Sequence, residues 1–70
     1  MYFKRLRDMR IDNDLKQTEV AEILGIQQTV YSRYERGFRT IPVEYIIKLA
    51  DFYHTSTDYL LGRTDNKEIK

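Results

Sequence analysis

The chain has no cysteine, one histidine, one proline and three glycines in 70 residues. Without cysteine there is no disulfide and no thiolate zinc site, so a core of marginal size must be stabilised by helix packing, helped by dimer formation. The absence is compatible with a reducing compartment. A lone histidine, His54, has no second ligand near it in sequence and is not expected to bind a metal. Asp12-Asn13-Asp14 lacks the glycine and closing glutamate of a calcium loop and reads as a helix-ending turn. No apolar run exceeds three residues, far short of the ~18 that a membrane span needs. Met1-Tyr2-Phe3 runs straight into Lys4-Arg5-Leu6-Arg7 with no apolar segment behind it, so no secretory signal is expected and a cytoplasmic location is. There is no nucleophile beside a base, no pair of carboxylates placed for acid–base work and no glycine-rich phosphate loop. The chain is therefore not expected to be an enzyme, and neither cofactor nor small-molecule ligand is expected.

Charge is also scarce: the net value is +1, too little for bulk attraction to a polyanion. Any nucleic-acid binding must come from local clustering. Arg33, Arg36 and Arg39 supply such a cluster, although a charge run by itself is usually a solvated face.

What is present is helical periodicity. Phe3 to about Ile11 reads as a first helix, ended by Asp12-Asn13-Asp14. Leu15 to Leu24 reads as a second, with Leu15, Val20, Ala21 and Leu24 inward. Ala21 is small enough to let a neighbouring helix approach. Gly25 supplies the positive φ of a tight turn. A third helix spans about Gln28 to Arg36 and stops at Gly37. Its apolar residues, with Ile26 just before them, are Val30, Tyr31 and Tyr34, on one face. The opposite face carries Gln28, Thr29, Ser32, Arg33 and Arg36, side-chain types that bond to base edges and phosphates. A short helix, a glycine turn and a helix with a polar outer face form a helix-turn-helix.

Pro42 suits the first turn of a fourth helix, Val43 to His54, with Ile46, Leu49, Ala50 and Tyr53 on one stripe. Ser56 reads as an N-cap for a short fifth helix, Thr57 to Leu61, closed by Gly62. Five of the six tyrosines, all but Tyr2, fall on inward or flanking faces and read as core rather than as stacking platforms. The expectation is an all-α fold of five helices in one domain, residues 1–62, followed by a polar tail, residues 63–70, that frays.

Leu15-Lys16-Gln17-Thr18-Glu19-Val20-Ala21, Gly25-Ile26, Tyr31-Ser32-Arg33-Tyr34-Glu35-Arg36-Gly37, Ile47-Lys48-Leu49-Ala50 and Asp58-Tyr59-Leu60-Leu61-Gly62 together resemble the Cro and repressor family of phage and bacterial regulators. This is the xenobiotic-response-element (XRE) type of helix-turn-helix, with a lambda-repressor-like fold. The likeness covers about residues 3 to 62, without gaps across the two central helices. It implies a sequence-specific regulator of transcription, acting as a repressor, with the third helix in the major groove of double-stranded DNA. It further implies that Gln27, Gln28, Thr29, Ser32 and Arg33 face bases, with Gln28 suited to adenine and Arg33 to guanine or a phosphate. Gln17, Arg36, Arg39 and Thr40 would contact the phosphate backbone, while Arg10 and Glu35 would tie the first helix to the end of the third. Tyr59, Leu60 and Leu61 form an apolar patch too large for so short a helix to hide. The resemblance implies that part of it meets a second copy, giving a homodimer on a palindromic operator with half-sites ~34 Å apart.

Two positions depart from the family pattern: Lys16 and Gln27 stand where helix-capping Ser, Thr or Asn is usual, at about 1 kcal/mol each. Phe38 occupies a loop position expected to be polar, where it either packs on the fourth helix or lies against deoxyribose. A different reading of the whole is a protein-interaction module, such as an antitoxin or adaptor that retains the fold without base reading.

Overall fold

Apolar residues at helical spacing, punctuated by residues that tolerate left-handed backbone, dictate where each segment starts and stops. A computed structural model of the chain describes residues 1–68. Among these the chain forms α1 (Lys4–Asp12), α2 (Gln17–Leu24), α3 (Gln28–Glu35), α4 (Val43–Tyr53) and α5 (Thr57–Leu60), with no strand. The all-α, five-helix architecture is the one expected. No described helix is long and apolar enough to cross a membrane.

One core collects residues from every helix. Leu6 and Met9 come from α1, Val20, Ala21 and Leu24 from α2, Tyr31 from α3, Ile46, Leu49, Ala50 and Tyr53 from α4, and Leu60 from α5. Ile41, in the connection before α4, is also buried, although its segment reads as a plain loop. Helices α2 and α3 make the most extensive pairing of elements, and Ala21, 2% exposed, lies in the core they share.

All five helices close the same way. A left-handed residue follows each end by one or two positions: Asp14 (φ 56°), Gly25 (φ 71°), Gly37 (φ 80°), His54 (φ 56°) and Gly62 (φ 78°). After α3, the Gly37 amide donates to the Tyr34 carbonyl (3.2 Å) and the Phe38 amide to the Arg33 carbonyl (2.9 Å). This paired closure satisfies carbonyls that the helix leaves open. After α1 the same closure uses the Leu15 amide, which donates to Arg10 (3.0 Å). Leu15 is thereby held in the connection, and α2 begins two residues later than the apolar spacing suggests.

His54 is exposed, so its side chain gains no burial to offset a left-handed backbone costing roughly 1–2 kcal/mol. His54→Gly is expected to stabilise the fold by about 1 kcal/mol, raising the melting temperature by about 4–8 °C. An unchanged or lowered melting temperature would contradict this account of the α4 terminus.

The segment after α5 is held rather than frayed. The Arg5 guanidinium donates to the carbonyls of Tyr59 (3.0 Å) and Thr64, pairs with Asp65 (2.6 Å) and stacks 4.1 Å from the Tyr59 ring centroid. The Thr55 hydroxyl donates to the Lys67 carbonyl. Docking of irregular backbone onto one arginine leaves no periodic trace in sequence, so composition alone pointed to a free tail. Residues 69 and 70 of that tail lie outside the described residues.

Candidate nucleic-acid interface

The third helix is amphipathic in the structure as in the sequence. Tyr31 is fully buried and Tyr34 packs on the core, its ring 6.2 Å from that of Tyr45. With that side fixed, the other side faces solvent. Gln28, Thr29, Ser32 and Arg33 of α3, with Arg36 and Phe38 just beyond it, line one shallow concavity of about 260 Å³. Gln27 lies at the helix start, exposed beside this surface. No side chain accepts from the first amides of α2 or α3: lysine has no acceptor, and Gln27 makes no capping bond. At α2 only half of a capping box forms: the Lys16 amide donates to the Glu19 carboxylate (2.9 Å). The open amides at Gln17 suit an anion at that helix end.

Behind the concavity runs a chain of hydrogen bonds into the core. Gln28 Nε2 donates to Gln17 Oε1 (2.7 Å), and Gln17 Nε2 donates to Glu35 Oε1 (3.3 Å). Arg10 closes the chain with two parallel bonds to Glu35, from Nε (2.9 Å) and Nη2 (2.8 Å), and a third from Nη1 to the Leu15 carbonyl (2.9 Å). Among the described residues Gln28 Oε1 and one of its two N–H groups have no partner, and these are the groups that adenine N6 and N7 require. The Gln17 side chain is committed to Gln28 and Glu35, which leaves the backbone amide as its principal group for a phosphate.

Burial pushes the Glu35 carboxyl up, but hydrogen bonds from Arg10 and Gln17 and the Arg10 charge outweigh it and hold the group below the usual carboxylate range. The hydrogen bond to Glu35 raises Arg10 in turn. Nearby, burial and the Glu35 charge push Tyr53 up to about 12 and Tyr31 higher still; neither hydroxyl has a hydrogen-bond partner among the described residues. A carboxyl depressed on folding contributes stability above its unfolded pKa, about 4.3, and loses it as pH falls through the folded value. The tyrosines act in the opposite sense, contributing below about pH 10 and losing it as pH rises towards 12. Stability is therefore expected to fall on both sides of a neutral plateau, and Glu35→Gln to flatten the acid limb selectively. Urea titrations from pH 2 to 11 check this; an acid limb unchanged by the substitution would contradict it.

Arg33, Arg36, Arg39 and Thr40 are all exposed. The ion pairs among the described residues join Lys4–Asp8, Arg5–Asp65, Arg10–Glu35, Arg63–Asp58 and Lys67–Asp12. None involves the three arginines of the concavity and its loop, so their charge is uncompensated locally despite the small net charge. The Thr40 hydroxyl accepts from the Met1 amino group (3.0 Å) and keeps its own proton to donate. Gly37 is required at the corner for two reasons: its φ of +80°, and a Cβ that would lie 2.8 Å from Tyr2 Cβ.

Of the apolar triplet at the end of α5, Leu60 is fully buried and belongs to the core, while Tyr59 and Leu61, the latter just past the helix, are half-buried. A four-residue helix has too few positions for periodicity to separate inward from outward faces. Sequence reading also missed the Gln28–Gln17–Glu35 chain and the place of Phe38 in the concavity. The first depends on how α2 and α3 cross, which no spacing within either helix encodes. The second was signalled only by an aromatic where a polar residue is usual.

Helices α2 and α3, joined through Gly25 with one buried and one polar face, define a helix-turn-helix protein. The helix-turn-helix family model matches residues 6–60, and the chain belongs to this family. Among curated proteins it is 37% identical to the uncharacterized HTH-type transcriptional regulator YobD of Bacillus subtilis, over all of this chain and 62% of that protein. It is 40% identical to the HTH-type transcriptional regulator ImmR of the same organism, over 89% of this chain and 49% of that one. The cryptic phage CTXphi transcriptional repressor RstR of Vibrio cholerae is also 40% identical, over 76% of this chain and 48% of its own length. The chain thus spans about half to three-fifths of these relatives. No solved structure matches it.

Proposed function

We propose that this chain is a sequence-specific double-stranded DNA-binding module of a cytoplasmic transcriptional repressor, with α3 lying in the major groove. The observation that supports the reading is the concavity on α3, lined by side chains of the types suited to base edges, together with Arg33, Arg36 and Arg39, which have no ion-pair partner among the described residues. Gln28, Thr29, Ser32 and Arg33, with Gln27 beside them, contact base edges, while the α2 amide at Gln17 and the side chains of Arg36, Arg39 and Thr40 hold phosphates. Two copies related by a two-fold axis bind a palindromic operator, with half-sites ~34 Å apart. The exposed part of Leu61, in a groove that Tyr2 and Phe3 also line, and that of Tyr59 supply the contact between copies; Leu60 supports them from the core.

Selection of bound sequences from random duplex tests the reading as a whole. Recovery of one palindrome supports it. Retention of no sequence over bulk duplex would favour an interaction module with this fold. Affinity for the selected duplex is expected to fall steeply with salt, and Arg39→Gln to lower the slope of log K against log[salt] by about one. A slope that does not change removes Arg39 from the phosphate contacts.

A further inference from the structure

Phe38 is the side chain of the concavity whose chemistry hydrogen bonding to bases leaves unused. It is 67% exposed and contributes nothing to the core, so it does not pack on α4. A single exposed aromatic is ordinary in itself. Its placement is not: the ring lines the same concavity as Gln28, Thr29, Ser32 and Arg33. Its backbone is held by the bond from its amide to the Arg33 carbonyl (2.9 Å) and by the Gly37 corner against Tyr2. The Arg36 guanidinium stacks 4.4 Å from the ring centroid, covering one face and leaving the remainder of the ring open. Among the base edges of the major groove only thymine presents a methyl group, its C5-methyl, for apolar contact.

Resting on the DNA-binding reading above, we infer that Phe38 is a specificity-determining residue whose ring packs against a thymine methyl beside the bases contacted by α3. Arg36 positions the ring from behind while its charge is directed to the backbone. The contact selects thymine at a position where none of the hydrogen-bonding side chains is needed.

The test uses the duplex recovered by selection, synthesised with each thymidine in turn replaced by deoxyuridine. That change removes one methyl and alters no hydrogen-bonding group. For the unaltered chain, one position in each half-site is expected to lose affinity about fourfold, the worth of one buried methyl group. Phe38→Ala is expected to be indifferent to deoxyuridine at that position, and Phe38→Leu to retain part of the discrimination. Both variants should melt at the temperature of the unaltered chain, since the ring is outside the core. The inference is overturned if no thymine is sensed more strongly by the unaltered chain than by Phe38→Ala. A uniform loss of affinity in Phe38→Ala at every sequence overturns it too, and moves the ring to deoxyribose. Failure to recover any preferred duplex would remove the DNA reading itself, and this assignment with it.

Discussion

Glu35→Ala is expected to destabilise the fold by about 3–5 kcal/mol, the largest effect of any single truncation on the polar network. Glu35 is 3% exposed, and its partner Arg10 retains only 14% of its side-chain exposure. Removing the carboxylate leaves the guanidinium in a protein environment with one remaining acceptor, the Leu15 carbonyl, and strands the Gln17 amide. A domain of this length holds on the order of 4–10 kcal/mol in all, so much of the chain would be unfolded at 37 °C. Arg10→Ala is expected to be similarly severe. The double replacement Arg10→Met/Glu35→Leu should recover much of the loss, because no charge is then left unpaired. Urea denaturation followed by circular dichroism measures all three. A Glu35→Ala unfolding free energy within about 1 kcal/mol of that of the unaltered chain would show that the pair is not the tie between α1 and α3 that its geometry implies.

Gln28→Ala is expected to cost about 1–3 kcal/mol of affinity per copy for the selected duplex, through loss of a two-bond contact to adenine. Binding to random duplex, which depends on phosphates, should change little. The expected signature is a loss of preference rather than of binding. It should be confined to one adenine, so that replacing that base by purine, which lacks the N6 amino group, costs nothing further in the variant. Gln17→Ala should have a smaller effect of the same kind, because it releases Gln28 from its 2.7 Å bond without removing it. Fluorescence anisotropy with selected and random duplexes separates the cases. An equal fall in both affinities would place Gln28 among the backbone contacts.

Much of this was legible in the residues. The spacing of Tyr31 and Tyr34 oriented α3, although Val30, read as inward with them, is only half-buried and is not among the residues packed on the core; Gly25, Gly37 and Gly62 marked three of the five helix ends. The two other ends were read from the Asp12-Asn13-Asp14 cluster and from the end of the α4 stripe, but not the residues that turn there: Asp14 and His54 adopt the left-handed conformation without being glycine. Their ends are decided by the Arg10 and Ala50 carbonyls, which need donors from Leu15 and Thr55, rather than by local preference. Ile41 looks like loop until the start of α4 carries it into the core. The polar residues after Gly62 carry no apolar pattern, and only the reach of Arg5 shows why they are held. The interface divides along the same line. Which side chains face outward follows from the period of one helix. That Gln28 is braced through Gln17 to a buried carboxylate requires two helices to cross at one point.

The most direct test of the central claim is a titration of the selected duplex into isotopically labelled protein, followed by backbone amide chemical shifts. The account predicts that perturbations concentrate at Gln17, at Gln27 to Thr29, at Ser32 and Arg33, and from Arg36 to Thr40. Val43, Ile47 and Phe52, exposed on α4, should stay in place. Shifts that gather on α4 while the outer face of α3 remains still would contradict it.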